Sequence, residues 1–433
     1  MKVFVRTCFI AILLTAVCGV MDAQQTAPAP TLTLADAEQM AIAHNPSISV
    51  AKLLQLAQAQ VTRETRSAEL PTATGSLTAV DARDGTRITA GLLNNPSVYD
   101  RAAGGLTVSQ LITDFGQTHH LVKSAEYQAK ATLNTQRATT EDIVLAVDQA
   151  FYQALTSQAV LLVAEQTVAA RQATADQISA LTNAKLKSTL DQSFANVELS
   201  QARLLLLDAQ NAEQDTMANL NALLGSEEDT QYSLADRSSA APLPPDNAEP
   251  LVQMAFNARP DLAALNDSYQ AAKQYSRAEH ELSLPTVSAL GAAGGAPVRA
   301  DQITSAWYGA LGANVSIPVF NGFLFSARAR EADLHAQAAQ EKIRYLRELI
   351  ARDVRTAVLS AQAAYQRIGV TRQLFDQSNL ALDLAQTRYK LGLSGIVELS
   401  QAQLQQTQGE IAYANARYAY QIALAALRFQ TGQ

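Results

Sequence analysis

Few side chains in this sequence are spaced for chemistry. Asp191 and Glu398 stand out because they recur 207 positions apart, each just after a short turn and at the head of a long helical pattern. An acid there has two readings. It can be a first-turn residue favoured by the helix dipole. It can also be one of several like charges drawn round a narrow mouth, where converging carboxylates would hold their protons harder and favour cations. His119 and His120 are adjacent and cannot share a helix face, so they read as a solvated or interfacial pair rather than a metal site. His44, His280 and His335 are scattered, and no phosphate loop, paired cysteine or Ser-His-Asp set is visible. No catalytic residue, metal ligand or cofactor is assigned.

The elements that carry these acids must suit an odd composition. The chain has 433 residues and a net charge of −7; 48% of residues are hydrophobic, yet only 6% are aromatic and 17% charged. Ala and Gln are abundant, and both form helices while burying little area each. That mix fits long, closely packed helices better than a bulky core. The acidic balance argues against nucleic acid as a partner, because no basic stripe is available for phosphates.

Residues 1–23 read as an export signal. Lys2 and Arg6 precede an apolar run, and Ala23 is a plausible cleavage point. Cys8 and Cys18 both lie inside that segment, so the mature chain is expected to be free of thiols. Val17 before Cys18 is a poor match to a lipid-attachment signal. No later stretch is apolar enough to span a bilayer as a helix, so any membrane crossing has to use β-strands.

The chain also repeats itself. Met40–Pro46 matches Met254–Pro260, and Leu70-Pro71-Thr72 matches Leu284-Pro285-Thr286, both at offset 214. Further on the offset is 207, as between Val147 and Val354 or Gly225 and Gly432. The length change falls between residues 73 and 108, where a surface loop would tolerate it. The expected division is a first repeat over 24–240, a Pro-rich linker over 241–249 and a second repeat over 250–433.

Each repeat opens with an amphipathic helix, Leu34 to about Ala68 and Pro250 to about Leu282. Alternating stretches follow. They run over 72–80 and 105–112 in the first copy, and over 286–290 and 313–320 in the second, with loops expected at 82–103 and 294–305. Helical patterns then run over 117–183 and 324–390, about 100 Å at 1.5 Å per residue. Turns at 184–188 and 391–395 lead into return helices ending at Gly225 and Gly432.

Strands of about ten residues can cross a bilayer when tilted. Trp307, Tyr308, Phe320, Phe323 and Phe325 gather where an interfacial girdle could lie. A soluble equatorial sheet is the competing reading. Four strands cannot close a membrane barrel, which takes about eight or more. Several chains must therefore share one, because an open edge is excluded from hydrocarbon.

The sequence resembles the TolC-type outer-membrane efflux proteins over essentially its whole mature length. The opening Leu32–Ala37 with His44-Asn45-Pro46 carries this, together with Ala258–Leu262 and the two Leu-Pro-Thr motifs. Ser109–Gly116, Ile317–Gly322 and Arg388–Gly392 with Ala402-Gln403 complete it. The resemblance implies a mainly α fold with a transmembrane β-barrel portion. Duplicated helix–strand–strand–long helix–helix units would form a homotrimer with a shared 12-stranded β-barrel, continued by an α-helical periplasmic tunnel. It implies a passive duct in the outer membrane, served by a periplasmic adaptor protein and an inner-membrane transporter that supplies the energy. The cargo would be small molecules such as drugs or metals.

The resemblance also assigns residues. Asp191, Tyr389 and Glu398 would form the pore constriction at the periplasmic tip. Ser394 stands where the best-known relative has an arginine, and Gln401 stands where a second acid is expected, so the closure should be weaker or differently made. Lys187, Ser188, Gly392, Leu393, Ser394 and Gly395 would form the adaptor-docking tip, with Gly392 and Gly395 reversing the chain and Lys185 standing where the second turn has Gly392. Plain turn chemistry is the alternative. Trp307, Tyr308, Phe320 and Phe323 would meet outer-membrane lipid. Two other functions stay open at this level: the outer-membrane part of type I protein secretion, and a pore-less periplasmic coiled-coil scaffold.

Overall fold

The computed structural model describes residues 30–81, 100–226, 230–236, 242–298 and 305–433. The expected export signal with Cys8 and Cys18, most of the 82–103 loop and the head of the linker lie outside the described residues.

The first half contains β1 (Thr31–Leu32), α1 (Leu34–His44), α2 (Pro46–Ser67), β2 (Thr72–Val80), β3 (Arg101–Thr113), α3 (Gln117–Asn183) and α4 (Thr189–Leu224). The second contains β4 (Ser233–Leu234), α5 (Glu249–Ala258), α6 (Pro260–Glu281), β5 (Thr286–Val298), β6 (Trp307–Ser316), α7 (Leu324–Lys390) and α8 (Ile396–Thr431). Helices α3 and α7 each have 67 residues, and α4 and α8 each have 36. A 67-residue helix spans about 100 Å. No described helix is long and apolar enough to cross a membrane.

The opening helices are not continuous. Each is broken before a proline, at Asn45-Pro46 and Arg259-Pro260. The proline ring excludes helical backbone from the residue before it. Asn45 and Arg259 are accordingly extended, with ψ of 124° in both. Asn45 uses the break: its side chain accepts from the Ser47 N–H at 2.9 Å and donates to Leu223 O at 2.9 Å.

The strand limits also differ from expectation. β5 continues through Gly294-Gly295 to Val298, which the sequence pattern had placed in a loop. β6 starts at Trp307 and stops at Ser316, so the expected 317–320 segment leaves the sheet. Pro318 has no N–H for a ladder, which explains the early stop. The two-residue strands β1 and β4 pair in parallel, Thr31 with Ser233 and Leu32 with Leu234. They are too short to show alternation in sequence.

The main sheet has the order β2-β3-β5-β6, antiparallel throughout. Among the described residues, β2 and β6 carry no further strand on their outer sides. Above the strand-to-helix junctions α2 packs on α3, α3 on α6 and α6 on α7; farther along, α4 packs on α3, and α8 on both α3 and α7. Phe151, Met217 and Leu220 form the core of the first half with Ala37 and Ala41. Val252, Ala255, Ile350 and Val354 form the corresponding core of the second. Each large side chain contributes about 2 kcal/mol by leaving water, while the alanines let the helices approach closely.

Candidate channel wall and tip

The sheet register sorts its side chains onto two faces, because successive residues of a strand point opposite ways. One face carries Ala73, Leu77, Leu106, Val108, Ala289, Ala293, Leu311 and Val315. The other carries Thr72, Thr74, Ser76, Thr78, Thr107, Ser109, Ser288 and Asn314. Leu77 and Leu311, on the apolar face, are 93% and 94% exposed. An apolar face left bare beside a hydroxyl face suits lipid on one side and water on the other.

The aromatic cluster expected from sequence divides. Trp307 and Tyr308 open β6, whereas Phe320 and Phe323 lie past its other end, about 30 Å away along the strand. Phe320 and Phe323 pack edge to face at 5.8 Å between ring centroids. Trp307 lies on the apolar face. Tyr308 lies on the hydroxyl face, with its phenol against Gly294 and Gly105, where any Cβ would collide with it. Of the expected girdle residues, Tyr308 thus lies on the opposite face from Trp307, among the hydroxyl side chains.

The strand-to-helix bends need two left-handed residues in succession. Phe115 and Gly116 have φ of 61° and 119°, and Gly322 and Phe323 have 63° and 67°. The two bends use glycine in opposite order, so each holds a phenylalanine in a region that L-residues rarely adopt. Asp114 secures the first bend by accepting from the Gly116 N–H at 3.2 Å and the Thr118 N–H at 2.7 Å.

At the far end the two turns close alike. The Leu186 N–H donates to Leu181 O, and the Leu393 N–H to Arg388 O, both at 2.8 Å. Lys185 and Gly392 occupy the left-handed position at φ of 61° and 72°. Gly395 does not share this role: it is extended at φ −87° and stands before α8 without a side-chain cap. Ser188, its counterpart before α4, caps the helix by accepting from the Asp191 N–H at 3.1 Å. Asp191 returns the bond to the Ser188 N–H, completing a capping box.

The residues expected at the constriction all lie at this end, each with partners of its own. Tyr389 is buried with Ile178, Ala195, Leu199, Ile396 and Leu399, a cluster that joins the two turn regions. Lys187 places its ammonium 4.1 Å from the Tyr389 ring centroid. The Tyr389 hydroxyl is buried with no hydrogen-bond partner among the described residues, as is the Ser394 hydroxyl. Burial and then the nearby Asp191 charge push the Tyr389 ionisation up. Asp191 thus acts on Tyr389 through space and not through a hydrogen bond. Glu398 is bound by Arg388, Nε to Oε1 3.0 Å, both about half exposed. Both acids sit in first turns, as the helix-dipole reading requires. Arg388 was visible in sequence only as part of a motif; its place across the turn from Glu398 was the available signal. Leu186, Leu190, Leu391 and Leu393 leave apolar surface exposed at the tip.

Among the described residues, no group of His, Cys, Asp or Glu is arranged for a metal ion. His120 instead joins the repeats, with Nδ1 2.8 Å from Gln274 Oε1 and Nε2 3.3 Å from Glu281 Oε1.

A bare two-faced sheet continued by long paired helices defines a wall segment of a membrane channel. The family model for outer membrane efflux proteins matches residues 37–226 and 251–433, and the chain belongs to that family. It is a non-enzymatic outer-membrane efflux channel protein, which sets aside the pore-less scaffold. The outer membrane protein OprJ of Pseudomonas aeruginosa is 24% identical over 391 residues, covering 89% of this chain and 81% of that protein. The fold is similar to VceC of Vibrio cholerae, with TM-score 0.81 and 19% identity over 92% of this chain and 96% of that one. It is also similar to MtrE of Neisseria gonorrhoeae, solved in its open state, with TM-score 0.78 and 19% identity over 92% and 88%.

Proposed function

We propose that three copies of this chain join their four-stranded sheets, edge β2 to edge β6, into one 12-stranded barrel across the outer membrane. The long helices then continue the wall as a tunnel into the periplasm. The observation that carries this reading is the sheet itself: two unpaired edges, one apolar face and one hydroxyl face. The channel is passive, and it takes small toxic molecules from a periplasmic adaptor coupled to an inner-membrane pump. The exposed leucines and polar turn residues at the tip, Lys187, Ser188 and Leu393 among them, supply the adaptor's contact surface. Asp191, Tyr389 and Glu398 govern the width of the mouth.

The test is a pair of cysteines in the chain, which is expected to be thiol-free once mature. Gly75→Cys on β2 and Ala313→Cys on β6 should crosslink between chains into a covalent trimer. Monomer alone would overturn the shared barrel. Deleting the gene should lower resistance to toxic compounds, and unchanged resistance to a broad panel would overturn the small-molecule role.

A further inference from the structure

The two halves dock their opening helices onto the long helix in different ways. Positions 38 and 148 correspond, at offsets 214 and 207, to Val252 and Arg355. In the second half Val252 is 1% exposed and packs with Ile350 and Val354, while Arg355 reaches Glu249 Oε2 at 3.1 Å. In the first half the same contact sets carboxyl against carboxyl. Asp148 on α3 is 7% exposed, and its Oδ1 meets no donor among the described residues. Glu38 on α1 lines one cleft with Asp148, and its charge bears on it. Two ionised carboxylates have no hydrogen to donate and repel each other, whereas one proton between them supplies both donor and attraction.

The charged surroundings leave that proton in place. Arg428 of α8 draws on Asp148 through space, and Glu141 of α3 lines the same cleft of about 280 Å³. Tyr152 on α3 lies within electrostatic reach of Asp148, and Asp236 after β4 acts on Tyr152. The α4 helix packs on α1 but brings no charge to Asp148.

We propose that Glu38 and Asp148 share one proton and so form a pH-sensitive clasp of α1 on α3, present in the first half of the chain and absent from the second. Burial, then the Glu38 charge, pushes the Asp148 carboxyl up to about 7. A carboxyl raised on folding stabilises most below its unfolded value, near 4. That contribution is lost as pH rises through about 7. Above that pH α1 would loosen from α3 in the first half alone.

Hydrogen exchange by mass spectrometry on the assembled protein carries its own control, because α5 is the counterpart of α1. After correction for intrinsic rates, α1 should lose protection on the order of tenfold relative to α5 between about pH 6 and about pH 8.5. Asp148→Asn, which keeps a permanent donor, should abolish that difference, and Glu38→Val, which copies the second half, should reduce it, because burial still raises the Asp148 carboxyl. Equal responses of α1 and α5, or a response that Glu38→Val leaves unchanged, would overturn the clasp. If both variants misfold, the infrared spectrum of the unmodified protein decides. A carboxylic-acid carbonyl band that disappears as pH rises through about 7 supports the proposal, and no such band overturns it.

Discussion

The Lys187 ammonium lies over the face of the Tyr389 ring, 4.1 Å from its centroid, and so joins the first turn to the end of α7. Cation–π contacts of this kind contribute about 0.5–2 kcal/mol, more as water is excluded. Lys187→Met keeps the aliphatic reach and removes the charge. Channels carrying it should show higher conductance or longer openings in planar bilayers, and Lys187→Arg should behave like the original. Unchanged conductance in Lys187→Met would mean that the contact does not restrain the mouth.

The second tip helix lacks the cap of the first. Gly395 holds the N-cap position of α8 in an extended conformation that any residue adopts, and Glu398 already stands at the third helical position. Gly395→Ser would complete a box like that of Ser188 and Asp191. The expected gain is about 1 kcal/mol, read as a higher midpoint in thermal unfolding. A lower midpoint would show that the Arg388–Glu398 pair is worth more than the cap.

Left-handed residues other than glycine store strain. Lys185→Gly and Phe323→Gly should each raise stability by about 1 kcal/mol, while Gly392→Ala should lower it by a similar amount. Denaturant titration of each variant checks the sign. A destabilised Phe323→Gly would show that its edge-to-face contact with Phe320 outweighs the strain.

The faces of the sheet predict opposite tolerance. Leu311→Arg places a charge on the apolar face and should cost about 2–4 kcal/mol near mid-membrane. Thr74→Arg on the hydroxyl face should insert normally and change ion selectivity instead. Membrane fractionation and reversal potentials separate the two, and equal insertion of both variants would overturn the assignment of faces.

The long helices were legible because little interrupts them: 117–183 contains neither Pro nor Gly, 324–390 contains only Gly369, and α3 and α7 have those limits. The breaks at Pro46 and Pro260 were missed because apolar periodicity runs straight across them, although a proline at a first helical position marks a start. Strand β5 was cut short because Gly294-Gly295 reads as a turn, when Gly294 makes room for Tyr308. At the tip, sequence placed Asp191, Tyr389 and Glu398 in one region but not their contacts, since spacing does not say which side chain lies over which ring. The Glu38–Asp148 pair was invisible, because 110 positions separate two ordinary surface-type residues.

Strands β2 and β6 expose nearly every side chain on both faces, and among the described residues neither has a strand on its outer edge. A lone protomer in transit is therefore a sticky object, ready to pair with any extended peptide it meets. Under the proposed trimer, correct assembly becomes a race: three chains must find one another before something else finds those edges. The yield of channel should then fall steeply when synthesis outpaces the supply of holding chaperones.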